Sequence, residues 1–432
     1  MNQFVFEKRQ KSVLIGAMIL GALCLFGSLI GDDELHTRFW SNYLHNAVFF
    51  TGIAFISLFI LTAFTTAWAG WHTNVKRVWE AFSLFMTPGA IMMLVLVVGV
   101  LFGFNHLYHW ADAEAVAEDP ILSGKSSFLN PIMYAFFTIL VMGTFVFFAR
   151  KIRSISLEED EHGANGLAND FKHHRKLRVW SAAFLPFAGF FSAAAIWQWI
   201  MSLDAHWYST LFAWYTAASW FVAAMALTIM LLIYLKGKGY LENVNADHFH
   251  DIGKYMFGIS IFWTYLWFSQ FMLIWYANVG EETVYFYDRM NDYPVLFYAN
   301  LVLNFVLPFF ILMRNDNKRK YGTMFTASLF VFFGHWLDFF LMIKPGARHT
   351  AMEHIAHHSE HAGDAAHGGG EHALEFMAGF TLPGLLEIGI MIGFLAFFIY
   401  YVFMQLAKAP LTPKNDPYLD EAEHHSVWPY VD

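Results

Sequence analysis

Ten long apolar stretches account for most of this chain: 12–31, 46–71, 81–104, 132–149, 179–203, 207–235, 255–280, 293–313, 321–343 and 379–407. Eight of them contain no Asp, Glu, Lys or Arg. About 20 residues at a helical rise of about 1.5 Å cross a hydrocarbon core about 30 Å thick. Inside lipid an unpaired peptide group is too costly, so a spanning segment is a helix or a strand of a closed barrel. These stretches are too long and too uniformly apolar for barrel strands. The expected class is an all-α integral membrane protein with ten transmembrane helices.

The segments between the spans alternate in basic charge. Of 26 Lys and Arg residues, only Arg38, Lys125, Arg289, Lys344 and Arg348 fall in one set of loops. The other set holds all the rest, from Lys8, Arg9 and Lys11 to Lys408 and Lys414. Basic loops stay on the cytoplasmic side, so both termini are expected there. The acidic groups Asp32, Asp33, Glu34, Asp112, Glu114, Glu118, Asp119, Glu281 and Glu282 fall mostly outside. Nothing in this charge pattern calls for nucleic acid. The first span lacks a small-residue cleavage site and is read as a retained anchor.

Cysteine usage removes several cofactors. The single Cys24 lies in the first span. The chain cannot by itself form a disulfide, a Cys-ligated iron–sulfur cluster or a covalent c-type haem site. It also lacks a phosphate-binding glycine loop. A b-type haem needs paired His at matched depth, and only His335 lies well inside a span, with His45 and His106 at outer edges. No cofactor bound by this chain alone is expected.

A weak internal repeat is visible in the spans, the alternative being chance similarity among Phe-rich segments, and the matching orientation favours the repeat. The second and sixth both enter from outside, after Phe39-Trp40-Ser41 and His206-Trp207-Tyr208. The fourth opens at Asn130-Pro131 and closes at Arg150; the eighth opens at Tyr293-Pro294 and closes at Arg314. Spans 2–5 and 6–9 are therefore expected to form two parallel four-helix bundles, with spans 1 and 10 flanking them. The corresponding divisions are 1–43, 44–203, 204–343, a His-rich outer loop at 344–378, and 379–432 with the last span and a cytoplasmic tail.

Two stretches carry a family likeness: Met201-Ser202-Leu203-Asp204-Ala205-His206-Trp207-Tyr208-Ser209-Thr210 and Phe262-Trp263-Thr264-Tyr265-Leu266-Trp267-Phe268-Ser269-Gln270-Phe271. With the ten-span layout, the chain resembles the polysulfide reductase membrane-subunit (NrfD-like) family. Within it, the pattern is most similar to the shorter of the two such membrane subunits of alternative complex III. The resemblance implies a non-haem membrane subunit of a respiratory quinol:cytochrome c oxidoreductase complex in a bacterial inner membrane. It implies as partners a sister NrfD-like subunit, an iron–sulfur subunit and haem c subunits. It assigns quinol binding to the longer sister subunit, so quinone on this chain is not the favoured expectation.

A carboxylate at mid-membrane costs about 2.5–3.5 kcal/mol on insertion scales and is seldom idle. Asp338 lies roughly 8 Å, and Glu387 roughly 12 Å, below the outer end of its span at helical rise. His335 shares a face with Asp338 at i, i+3. These three are expected to share one outward vestibule and to pass protons; the alternative is that they serve as interhelical hydrogen-bonding glue. Asp204 and His206 form a second candidate at the outer mouth between spans 5 and 6, or a plain turn in which Asp204 caps the next helix. Glu80, beside Lys76 and Arg77, is a first-turn acid or the opening of an inner half-channel. His354, His357, His358 and His361 share a helical face and could bind metal, but Gly363, Gly368, Gly369 and Gly370 interrupt the segment and favour a solvated tract. The competing functions are a stand-alone secondary transporter, disfavoured by the lack of paired broken helices, and a purely structural anchor.

Overall fold

The computed structural model describes residues 3–30, 32–163, 171–362 and 382–427, and of 353–362 the backbone only. Ten helices are long and apolar enough to cross a membrane. They are α1 (Lys8–Gly27), α2 (Thr37–Thr66), α3 (Lys76–Leu101), α4 (Pro131–His162), α5 (Lys172–Leu203), α6 (Thr210–Gly237), α7 (Ala246–Ala277), α8 (Pro294–Leu312), α9 (Tyr321–Ala362) and α10 (Leu385–Leu406). Among the described residues there is no β-strand. The chain is an all-α, multi-pass integral membrane protein.

Local chemistry explains the breaks. At the start of α2, Asp33 accepts from the Thr37 N–H at 2.7 Å and Asp32 from Arg38 and Phe39 N–H at 2.9 Å each. Two acids on the exposed amides of a first turn also oppose the positive helix end. Burial, with Asp33 alongside, pushes the Asp32 carboxyl up to about 6. Asn130 and Pro131 start α4, the Asn side chain accepting from Met133 N–H at 2.9 Å. Inside α8 the turn Val302–Val306 is a π-helix. Pro308 has no N–H for the Asn304 carbonyl and its ring crowds that oxygen, so the helix widens there.

Helices α2, α6 and α9 are largely enclosed by protein, whereas α1, α5 and α7 turn most of their surface outward. Helix α2 packs on α3 and α5, α3 on α4, and α4 on α5. In the same way α6 packs on α7 and α9, and α8 on both α7 and α9. Helix α2 also meets α6 and α9, and α1 lies along α10. At that crossing a Cβ added to Gly21 would fall 2.3 Å from the Gly393 Cα. Such small residues let two backbones approach where lipid supplies no hydrophobic drive to associate. Side chains such as Ile132, Phe190, Tyr265, Trp275 and Phe310 face outward, as lipid requires.

Both termini reach the same face: Gln3 donates to the Ala407 carbonyl, and Phe4 packs on Tyr240 and Phe403. That face carries the basic set of loops.

Several boundaries differ from the sequence reading. Helix α2 begins nine residues before 46, because Asn42, His45 and Asn46 are buried polar side chains that a hydropathy count reads as a loop. His45 is thus inside the protein and not at an outer edge. Helix α9 does not stop at 343. It continues through Pro345 to Ala362, so the first half of the segment read as a His-rich loop is helical. The metal reading of His354, His357, His358 and His361 concerns side chains outside the described residues. The tail after 408 is docked, with a short helix, Leu419–Glu423, against the turn Trp71–Asn74.

Candidate functional site

Asp338 is completely buried in α9. One carboxylate oxygen accepts from Tyr215 Oη of α6 and from Asn300 Nδ2 of α8 at 2.8 Å. The other accepts from Trp263 Nε1 of α7 at 2.9 Å. Four helices therefore converge on one carboxyl group. Behind it, Asn304 Nδ2 donates to Asn300 Oδ1 at 2.6 Å. The π turn points Asn304 inward, and Gly334 makes room: a Cβ there would sit 2.3 Å from Asn304 Oδ1. His335 is adjacent, its Nδ1 4.0 Å from Asp338 and 2.9 Å from Ser219 Oγ, while its buried Nε2 has no hydrogen-bond partner among the described residues.

Toward the face opposite the termini lies a small cavity walled by Tyr215, Gln270, Tyr285, Arg289, Asn300 and Met342, among others. Its room is about 20 Å³, enough for one water and far short of a quinone ring. Arg289 closes its outer end. The guanidinium lies over the Tyr285 ring, 3.4 Å from its centroid, and donates to the Leu341 carbonyl at 3.0 Å. It also donates to Asp204 at 2.9 Å. Arg289 is buried while Asp204 is partly exposed. Asp204 and Arg289 at the outer end, the cavity, whose wall also includes Trp267, Phe286, Phe297 and Leu341, and then Tyr215 and Asp338 follow one another from the surface into the helix core.

The structure redistributes the residues singled out from sequence. His335 and Asp338 are together, as their spacing predicts. Glu387 is not with them. Because α10 begins at Leu385, Glu387 sits in the first turn of its helix and not partway down it. It accepts from its own Gly384 N–H at 2.9 Å, from Arg38 at 2.9 Å and from Asn42 at 3.2 Å. The single shared vestibule therefore divides into two sites on opposite faces of α9: Asp338 looks toward α6, α7 and α8, while Glu387 lies against α2. Fully buried Lys344, on the α2 side, donates to Ser41 Oγ at 2.7 Å and feels the charge of Glu387.

Asp204 and His206 also separate. The Asp204 side chain turns to Arg289 and does not cap α6; Ser209 is the residue before α6. His206 turns the other way, to Asp119, whose carboxyl this imidazole contact holds below its usual range.

Glu80 is neither a simple first-turn acid nor an isolated one. It is buried beneath Arg77 at 2.7 Å, Ser156 at 2.5 Å and Arg153. Arg77 reaches Asp160, and Lys76 reaches Asp416 and, at 3.5 Å, Glu159. Arg77 and Arg153 pair with Glu80 and Asp160, while Glu159 and Asp416 share Lys76, which suits a clamp better than the mouth of a channel. The sequence signal for Arg153, Glu159 and Asp416 was only their charge at the basic end of the chain's loops.

These features define a class: a multi-pass helical membrane protein with a buried carboxyl at the end of a track of side chains leading in from the surface. The chain matches no protein-family model and no curated protein.

Proposed function

We propose that the chain is a non-haem membrane subunit of a bacterial respiratory quinol:cytochrome c oxidoreductase complex, of the NrfD-like kind, and that it conducts protons between Asp338 and the outer face. The observation that carries the proton role is the track from Asp204 through Arg289 and the cavity to Asp338. A carboxyl group enclosed by Tyr215, Asn300 and Trp263, of which Tyr215 and Asn300 also line a water-sized space, has hydrogen-bonding neighbours through which a relay could run. A purely hydrogen-bonding role would not require the track to extend to Asp204. On this reading quinone chemistry belongs to a sister subunit. Iron–sulfur clusters and haem c belong, on the same reading, to partner subunits.

The helix neighbours support two parallel four-helix bundles, α2–α5 and α6–α9, since each set closes into a ring through its first and last members. The basic face, holding both termini, is the cytoplasmic one on this reading.

The test is purification in mild detergent, mass identification of the co-purifying chains, and proton release per electron in vesicles. Iron–sulfur and multihaem partners are expected, with proton release lowered in Asp338→Asn at unchanged assembly. A lone chain with solute uptake would replace this reading by the transporter; unchanged proton release would leave only an anchor.

A further inference from the structure

The clamp at the basic end of the helices contains a group that no ion pair explains. His174, in the first turn of α5, is about 95 % buried, and neither ring nitrogen has a hydrogen-bond partner among the described residues. Its imidazole is packed against the rings of Trp68 and Tyr418, 5.9 and 5.0 Å between centroids. A buried imidazole with both nitrogens idle forfeits hydrogen bonds that the great majority of buried polar groups make. The nitrogen is not pointing at nothing: a His174 ring nitrogen, a Glu159 oxygen and an Asp416 oxygen all lie within 4.8 Å of one another. All three residues are buried.

We propose that Glu159, His174 and Asp416 form a binding site for a divalent first-row transition ion, with zinc as the best match. One imidazole and two carboxylates are the mixed N/O donor set that zinc accepts, with a fourth position left for water. Bonds of about 2.0–2.2 Å in a tetrahedral site put ligands roughly 3.3 Å apart. Closing the present triangle therefore needs only about an ångström of side-chain movement.

Charge arithmetic supports a cation here. The ammonium of Lys76 already contacts Asp416 and lies 3.5 Å from Glu159, so the two carboxylates share a single positive charge. The neighbouring Arg77, Arg153, Glu80 and Asp160 are paired among themselves. Lys76 is thus the resident cation of the site, and a metal ion must displace its ammonium from the two carboxylates. The ligands come from three separated segments: the end of α4, the start of α5 and the tail. A bound ion would pin the tail to the helix ends, coupling metal binding to closure of this face.

The experiment measures zinc retained by the full-length protein after metal loading and dialysis. The background variant carries Ala at all seven His of 344–378, namely His349, His354, His357, His358, His361, His367 and His372, so the His-rich segment cannot supply the signal. The expected result is one retained equivalent, with an X-ray absorption spectrum of one imidazole and otherwise oxygen ligands. His174→Gln is expected to weaken retention by about tenfold or more, and Lys76→Gln to strengthen it by removing the competing ammonium. The absorption spectrum needs no further variant, so a folding failure of His174→Gln would not remove the test. Absence of a retained equivalent, a spectrum dominated by imidazole, or equal retention in folded His174→Gln would overturn the site.

Discussion

Two acids of the same sequence character behave differently because their partners differ. Asp338 is held by neutral donors only, Tyr215, Asn300 and Trp263, and so can carry or lose a proton without breaking an ion pair. Glu387 faces Arg38 and lies in the field of buried Lys344. Its removal leaves cations uncompensated in a low-dielectric setting, which costs about 3–5 kcal/mol. Glu387→Gln is therefore expected to lower thermal stability in detergent strongly while leaving proton release per electron unchanged. Tyr215→Phe should do the reverse: it deletes the hydroxyl between cavity and carboxyl, slows proton release, and costs about 1–3 kcal/mol for the lost buried hydrogen bond. Stopped-flow pH measurements and melting curves on both variants check the contrast. The pairing of His335 with Asp338 was legible, because i, i+3 spacing on a helix fixes it. Their partners were not: Tyr215 and Trp263 are common residues in membrane helices, and only packing makes them donors to one oxygen or another. Asp416 as a partner of Lys76, 340 positions away, leaves no trace in local pattern.

At the scale of single helices, α8 and α9 are fitted to each other around the π turn. Gly334 of α9 is where the widened turn of α8 comes closest, and a methyl group would meet Asn304 Oδ1 at 2.3 Å and Leu303 Cβ at 2.8 Å. Gly334→Ala is expected to cost about 1–3 kcal/mol by overpacking and to disturb Asn300 as a donor to Asp338. Unchanged stability together with unchanged proton release would contradict that fit. The apolar runs gave the existence of every spanning helix, but their ends were harder. Helix α2 starts among buried Asn42, His45 and Asn46, where polar residues are satisfied by protein and not by water. Hydropathy cannot separate the two cases. The same applies to α9, whose polar continuation past 343 is helical while Lys344 bonds Ser41 of α2 and Ala347 and Ala351 are buried.

For the whole molecule, the basic face is closed by its own tail. Asn245 holds the His425 carbonyl at 2.9 Å, His425 meets Asp251 at 2.7 Å, and Asn243 donates to Glu423 at 2.7 Å. Beneath this cover His72 is buried, and burial, with the Lys76 charge, pushes its imidazole down to about 4. In an opened face the ring would take a proton near its ordinary value of about 6.5. The closed state is therefore fully favoured above about pH 6.5 and loses stability as pH falls toward 4, with His72 alone contributing about 3 kcal/mol. Hydrogen exchange of the Trp71–Asn74 turn should rise over that window, and His72→Gln should flatten the rise. The ten-span layout was legible because lipid imposes one long apolar helix per crossing. The docking of the tail was not, because Pro-containing polar sequence reads alike whether it packs or stays solvated.

The length of α9 has a further consequence. At about 1.5 Å per residue, its 42 residues make a rod of roughly 63 Å, about twice the thickness of a hydrocarbon core. One helix thus runs from the basic face past Asp338 and on toward the opposite side, with Pro345 inside it. Pro345 leaves the Leu341 carbonyl without its helical donor, and Arg289 takes that place, so a tilt of the outer half would bend the helix at that point, next to the guanidinium over the cavity.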